Sequence, residues 1–212
     1  MILSTHPGRY KILGQTIDDA IGEAIDKIGR HICSEWASSG GLGKSLENLA
    51  EKGDALPYQI SCLDHTVNPL SFSFSGLKTS LLEFIKMNEN SNIEDLAATV
   101  QKVLFDHLLD RVELCIKILN LADFKLKQMS VIGGVASNQC FKYMLTERLR
   151  GHDIEVLVPP PEICTDNAVM IGLAALHSFS RAKYRTNINS FLNRPDQNWN
   201  IEELSICKSV LE

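Results

Sequence analysis

Apolar residues recur at helical spacing along much of the chain and at strand spacing between the helical stretches, and their order predicts the architecture. The longest rhythm runs from Ile93 to Leu121, where Leu96, Val100, Val103, Leu104, His107, Cys115 and Ile116 fall on one face at i, i+3/i+4 steps. Charged residues take the opposite face, so the spacing predicts a long surface helix packed on a core. A shorter stripe of Ile17, Ala20, Ile21, Ala24, Ile25 and Ile28 marks another helix. Thr16 is placed to cap it, with Asp18, Asp19 and Glu23 near its positive end. Residues 77–87 read as a third helix and residues 45–51 as a further turn or two. Between them lie strand signals: residues 2–4 before a His6-Pro7-Gly8 turn, Tyr10 to Gly14, and the strict alternation of residues 71–75, SFSFS. Residues 57–70 are turn-rich with β character at Tyr58-Gln59-Ile60, and residues 37–44, ASSGGLGK, read as a glycine-serine loop.

The last third alternates more regularly. A strand over residues 124–132, a helix over 138–150, a strand over 154–158 and a helix over 166–183 give an α/β order, with sites expected at the strand C-terminal ends. Two stretches stand out. In VIGGVASN, residues 131–138, an apolar run is broken by Gly133-Gly134 before Ser137-Asn138 open a helix. In CTDN, residues 164–167, Thr165-Asp166-Asn167 open the next one after a proline-rich corner. Glycine turns leading into helix starts let backbone N–H groups approach a phosphate or nucleoside. These two helix starts, one bearing an amide and one a carboxylate, are expected to face one cleft.

Composition narrows the class. The 212 residues are 44% hydrophobic and 22% charged, as in ordinary soluble domains, and the net charge of −5 offers no overall basic field for nucleic acid. Six cysteines are scattered without a C-x-x-C pair, which argues against a zinc site or a disulfide framework and favours a reducing compartment. Cys164 has no histidine partner in sequence range and reads as a buried thiol. No apolar run is long enough for a membrane span, and MILSTHPGRYK lacks signal or transit character. From Tyr184 the chain turns polar, giving an expected division into an α/β domain over residues 1–183 and a tail over 184–212.

Taken in order, GRYKILGQTIDDAIGEAIDKIGR, SFSFSGLKTSLL, SVIGGVASNQCFKYMLTERL and VLVPPPEICTDNAVMIGLAAL resemble the TsaD family of tRNA threonylcarbamoyladenosine synthases, its bacterial and mitochondrial branch above all. The resemblance runs from Ser4 to about Leu176 and corresponds to the later half of a family member. It implies an actin/Hsp70-like fold: the C-terminal lobe with part of the preceding lobe, the N-terminal lobe being largely missing. Family members carry an H-x-x-x-H metal pair in that earlier lobe, and the six histidines here include no such spacing. The chain is therefore expected to be a truncated form, an alternative start or an incomplete gene model, with an exposed apolar face where the missing lobe would pack. The family's proline-glycine-glycine-proline loop is replaced by the longer SSGGLGKS, and Ser71 stands where the family usually has Asp.

The family's reaction moves a threonylcarbamoyl group from threonylcarbamoyl-adenylate to the N6 amine of an anticodon-loop adenosine, in tRNAs that read codons starting with adenine. By resemblance, Asp26 binds the nucleotide's ribose, Gly43 and Glu47 follow the glycine loop as further substrate-binding residues, and Ser137 with Asn138 contacts adenosine or phosphate. The lengthened loop leaves Gly41 as an alternative to Gly43. Asp166 is the implied ligand of one divalent metal ion per subunit, iron, zinc or magnesium, with two histidine ligands expected from the missing region. Local spacing alone reads Asp166 and Asn138 as helix caps and Asp26 as a solvated helix charge. No residue is assigned a catalytic acid, base or nucleophile role. Lys78 in SFSGLK reads as a solvated lysine or a phosphate contact, and His107 as a core-edge histidine. The expected partners are threonylcarbamoyl-adenylate, tRNA, and a second copy or partner modification proteins, with no membrane. The compartment expected is the mitochondrion, with the cytoplasm as alternative. The competing function is a non-catalytic nucleotide-binding or dimerisation module lacking the metal lobe. A metallo-endopeptidase is disfavoured because no H-E-x-x-H set is present. A different actin-like ATPase or sugar kinase matches by fold analogy only.

Overall fold

Leu96 to Phe105 explain why the helix bundle forms where it does: in this ten-residue stretch only Lys102 reaches solvent. The computed structural model describes residues 1–6, 9–33, 41–58 and 68–181. Within it, β1 is Ile2–His6, β2 Arg9–Ile12, α1 Ile21–Ile32, α2 Gly41–Ala50, α3 Ser75–Met87 and α4 Ile93–Leu121. Then come β3 Gln128–Ser130, a 3₁₀ turn Gly134–Ser137, α5 Gln139–Arg148, β4 Glu155–Leu157, α6 Pro161–Cys164 and α7 Ala168–Arg181. Pro7 and Gly8 of the expected turn, residues 37–40 of the glycine-serine loop, the Gln59-Ile60 segment and the tail lie outside the described residues, while residues 41–44, expected as loop, open α2.

Two compact units divide these elements: Gly14–Thr165, and Met1–Leu13 with the chain from Asp166 onward. In the first, α1, α2, α3 and α5 pack against α4. Ala24, Ile28, Leu46, Leu81, Val100, Leu104, Phe105 and Leu145 are almost fully buried at its centre. The first half of α4 is thus a core helix wrapped on nearly all sides, rather than the surface helix its charge pattern predicts. Ala97 and Ala98 are small enough to let neighbours close on it, and between Leu96 and Phe105 Lys102 is the one charged residue at the surface. Asn92 caps α4 by accepting the Glu94 N–H at 3.0 Å, so the predicted start and end hold.

Two corrections concern the stretch before α1. That helix begins at Ile21, not at Ile17, because Gln15–Ile17 pair with Phe72 instead: Phe72 N–H donates to Gln15 O at 3.0 Å and Ile17 N–H to Phe72 O at 2.9 Å. Thr16 spends its hydroxyl on Asp19 O at 2.6 Å and caps nothing. The close approach of this strand-like segment requires Gly14, where a Cβ would stand 1.9 Å from Leu70 O. The SFSFS alternation yields a single bridge at Phe72 rather than a strand, since Phe74 already has helical backbone angles and Ser75 opens α3; Ser71, expected on a wet face, is buried beside Phe72.

The acidic pair of TIDDA locks this arrangement. Asp18 caps α3, not α1, by accepting Ser73 Oγ at 2.6 Å and the Phe74 N–H at 2.8 Å. Burial alone would raise its carboxyl pKa, but these donors and the Ser75 N–H hold it below the ordinary value. Asp19 pairs with Lys78 at 2.5 Å and Lys27 at 3.1 Å, and the two ammonium groups likewise hold its pKa down. Lys78 is therefore half-buried in a structural ion pair, not a solvated lysine.

β3 and β4 pair in parallel, Gln128 with Glu155 and Ser130 with Leu157, and the turn and α5 form the crossover between them. In the second unit β1 and β2 form an antiparallel hairpin with Ile2 opposite Ile12. There α7 carries exposed Val169, Ile171, Leu173 and Leu176. The described residues thus form a helix-rich α/β chain with two small sheets, and no described helix is long and apolar enough to cross a membrane.

Candidate functional site

At the C-terminal end of β3 the backbone must reverse within a few residues to start α5, and Gly133 provides the reversal at φ +97°, a conformation that L side chains rarely adopt. Its N–H donates to Cys164 O at 2.8 Å, which ties the VIGGVASN turn directly to the end of α6. A Cβ on Gly134 would stand 3.9 Å from the Thr165 side chain, so the glycine turn also adjoins Thr165. Ser137 closes the turn by donating its hydroxyl to Gly134 O at 2.6 Å.

Asn138 is the N-cap of α5, its Oδ1 accepting the Phe141 N–H at 3.0 Å. Its Nδ2 donates to Gln101 Oε1 of α4 at 2.9 Å. Glu47 reaches the same helix start from α2: Oε1 accepts the Gln139 N–H at 2.7 Å and Oε2 the Lys44 ammonium at 2.8 Å. Glu47 and Gln139 lie 92 residues apart in the chain. The carboxylate is well placed electrostatically, because an anion at a helix N-terminus offsets the positive end of the helix dipole.

The remaining expected residues of this unit group around it. Gly22 of α1 faces Val135 in the 3₁₀ turn, and Asp26, one helical turn beyond Gly22, is exposed on that side of α1. Gly43 of α2 packs toward Ile25, the residue before Asp26. Gly41, the alternative to Gly43, opens α2 at φ +83° and has open space around its Cα. The fold therefore joins Glu47 of α2 to the helix start that follows Ser137 and Asn138, and it sets α1, which carries Asp26, against α2 at Gly43 and against the turn at Gly22. A phosphate has little reason to enter at Glu47, whose carboxylate already faces the helix start. Hydroxyl donors suit it better, since carboxylates such as Asp26 and Glu47 accept from them.

Asp166 belongs to the other unit and is exposed. The cap of α7 is Asn167, whose Oδ1 accepts the Met170 N–H at 3.0 Å, so Asp166 is not spent on capping. Among the described residues no three His, Cys, Asp or Glu side chains gather as a metal-binding group. Asp166 alone does not complete a site for a transition metal. Cys164 is buried and donates to Pro159 O at 3.1 Å, as a structural thiol does. His107 is buried edge-on to Phe74, with ring centroids 5.4 Å apart.

Two participants escape local sequence reading, Lys44 and Gln101. Gln101 carries a signal all the same: it shares the helical face of Ala97, Leu104 and Leu108, where an uncharged polar side chain interrupts an apolar stripe.

Comparison with known proteins agrees with this motif order. The family model described as TsaD, tRNA N6-adenosine threonylcarbamoyltransferase, matches residues 1–173. A Wolbachia pipientis protein named tRNA N6-adenosine threonylcarbamoyltransferase is 32% identical over 205 residues, 95% of this chain and 57% of the relative. One of the same name from Clostridium kluyveri is 36% identical over 193 residues, 88% of this chain and 54% of the relative. A Clostridium botulinum relative, again so named, is 34% identical over 187 residues, 86% of this chain and 52% of the relative. The chain thus spans about half the length of the curated relatives it matches. On the strength of a match over most of its length, this chain belongs to the TsaD family of tRNA N6-adenosine threonylcarbamoyltransferases.

Proposed function

We propose that this chain contributes the nucleoside-holding part of a tRNA threonylcarbamoyltransferase, which moves the threonylcarbamoyl group from threonylcarbamoyl-adenylate to the N6 amine of an anticodon-loop adenosine. The observation that carries the reading is the meeting of Glu47 and Asn138, from α2 and from the turn after β3, at one helix start. In the reaction the amine attacks the carbamoyl carbon, the bond from that carbonyl to the phosphate oxygen breaks, and the amine loses a proton as AMP departs. The work left to these residues is to bind and orient the adenylate. Asp26 and Glu47 accept from the ribose hydroxyls, Asn138 donates to the nucleoside, and Ser137 and Gly43 shape the approach. Pre-positioning of this kind converts a bimolecular encounter into a directed one.

In the same reading Asp166 is a ligand of one divalent ion, iron, zinc or magnesium, whose two histidine ligands come from the region that the longer relatives have and this chain does not span. The ion would polarise the carbonyl and neutralise the leaving phosphate. The described units then belong to an actin/Hsp70-like architecture. tRNA and a second copy or partner modification proteins complete the assembly, in the mitochondrion. The bacterial-branch motifs combined with the lengthened loop support that compartment.

A transfer assay tests this directly. Threonylcarbamoyl-adenylate and unmodified tRNA are supplied to this chain, and to a full-length relative carrying the corresponding substitutions. Threonylcarbamoyladenosine formed by the chain supports catalysis by it alone. Adenylate binding without product assigns it the role of a non-catalytic nucleotide-binding module. Replacement of the aspartate equivalent to Asp166 by Ala in the full-length protein is expected to abolish transfer with folding retained. Undiminished transfer removes Asp166 from the reaction.

A further inference from the structure

Gln101 is a polar side chain in the most apolar stretch of α4, 5% exposed, and none of the substrate assignments uses it. Its contacts leave its orientation little freedom. The Phe141 N–H can only donate, so Asn138 must turn Oδ1 toward α5 and Nδ2 away from it. That amino group can also only donate, so Gln101 must present Oε1, which it does at 2.9 Å. A cap alone would hold one end of the Asn138 carboxamide and leave its amino end to swing. Gln101 pins that end to the core helix and consumes one of its two hydrogens. The other has no acceptor among the described residues and is the donor that remains for a ligand.

We propose that Gln101 is a positioning residue for Asn138, fixing the plane of its carboxamide so that the remaining Nδ2 hydrogen points at the nucleoside. This rests on the reading of Asn138 as a nucleoside contact, and the experiment separates the two. AMP is titrated calorimetrically into the full chain, into Gln101→Met, which keeps length and apolar volume but offers no oxygen, and into Asn138→Ser, which keeps a capping oxygen but offers no amide. The double variant completes a cycle.

Asn138→Ser is expected to weaken AMP binding. Gln101→Met should weaken it about fivefold in the unaltered chain, as for loss of one hydrogen bond, and not at all once Asn138 is Ser. A merely structural Gln101 would give losses that multiply. Multiplying losses, or a Gln101→Met affinity within about twofold of the unaltered chain, a difference too small for a lost hydrogen bond, overturn the positioning role and leave the Asn138 reading intact. AMP affinity indifferent to Asn138→Ser, or no AMP binding at all, overturns both. Gln101→Glu, which keeps an oxygen for Asn138, is the second variant. Retained affinity supports positioning, and a loss as large as that of Gln101→Met counts against it.

Discussion

Replacing Glu47 by Ala removes the carboxylate that receives the Gln139 N–H at 2.7 Å and the Lys44 ammonium at 2.8 Å. A hydrogen bond to a charged acceptor contributes roughly 1.5–3 kcal/mol, and an anion at a partly buried helix start up to about 2 kcal/mol. Both act through the same N–H, so they overlap and do not add. The residue is 9% exposed, and water reaches the orphaned N–H poorly. A loss of about 2 kcal/mol is therefore expected, or about 4–8 °C in Tm for a chain of this size. Lys44 contributes little to this figure, because its side chain is 49% exposed and such pairs are worth about 0–1 kcal/mol. Glu47→Gln keeps an oxygen for the N–H and gives up the charge, so about half the loss should return. Urea unfolding followed by circular dichroism measures all three variants, with equal m-values required for the comparison. Glu47→Ala within about 0.5 kcal/mol of the unaltered chain, the range of ordinary surface changes, would refute the reasoning. So would a Lys44→Ala loss as large as that of Glu47→Ala.

Other expectations follow from the same contacts. Asp18→Ala strips the cap from α3 and should cost about 1 kcal/mol by the same denaturation measurement. Because the folded Asp18 pKa lies below its ordinary 3.8, its contribution is complete above that value and is lost as pH falls through the lower folded one. Acid titration of the Asp18→Ala chain should accordingly show a shallower stability loss below about pH 4 than the unaltered chain. Asn167→Ala should destabilise α7 by about 1 kcal/mol, read as lost helicity, while Asp166→Ala should leave helicity unchanged, since Asn167 holds the Met170 N–H. Arg148 on α5 meets Asp106, Asp110 and Glu113 of α4 at 2.7, 2.9 and 3.2 Å. Burial would lower its pKa, but the three carboxylates hold it above the ordinary value. Arg148→Ala should destabilise by about 1 kcal/mol at low salt, and by less in high salt as screening weakens the network.

What could be read from the chain was whatever local spacing encodes. The bounds of α4 follow from its 29-residue rhythm and the Asn92 cap, and the β3–α5–β4 order follows from apolar runs broken by Gly133-Gly134 and by the proline corner. Partners distant in the chain were not legible. Asp18 looks like an α1 residue and caps α3, because a carboxylate does not announce which helix start it will face. Phe72 and Phe74 both face the core as a strand with one wet face requires, yet only Phe72 pairs, with Gln15–Ile17, because the chain turns into α3 at Phe74. Charges on α4 suggest a wet face, but its first half is enclosed where Ala97 and Ala98 permit close packing. At the site, motif order points to Asp26, Gly43, Glu47, Ser137 and Asn138, and the fold joins Glu47 to the helix start that Asn138 caps. The Gln101 and Gln139 contacts arise from tertiary packing, which local spacing does not specify.

The central claim is that the start of α5, with Asp26, Gly43 and Glu47 beside it, receives a nucleoside. Titrating AMP into the ¹⁵N-labelled chain and following backbone amide shifts tests it residue by residue. The account predicts saturable shifts centred on Asp26, Gly43, Glu47, Ser137, Asn138 and Gln139. Shifts confined to other parts of the chain, or none at saturating AMP, would contradict it.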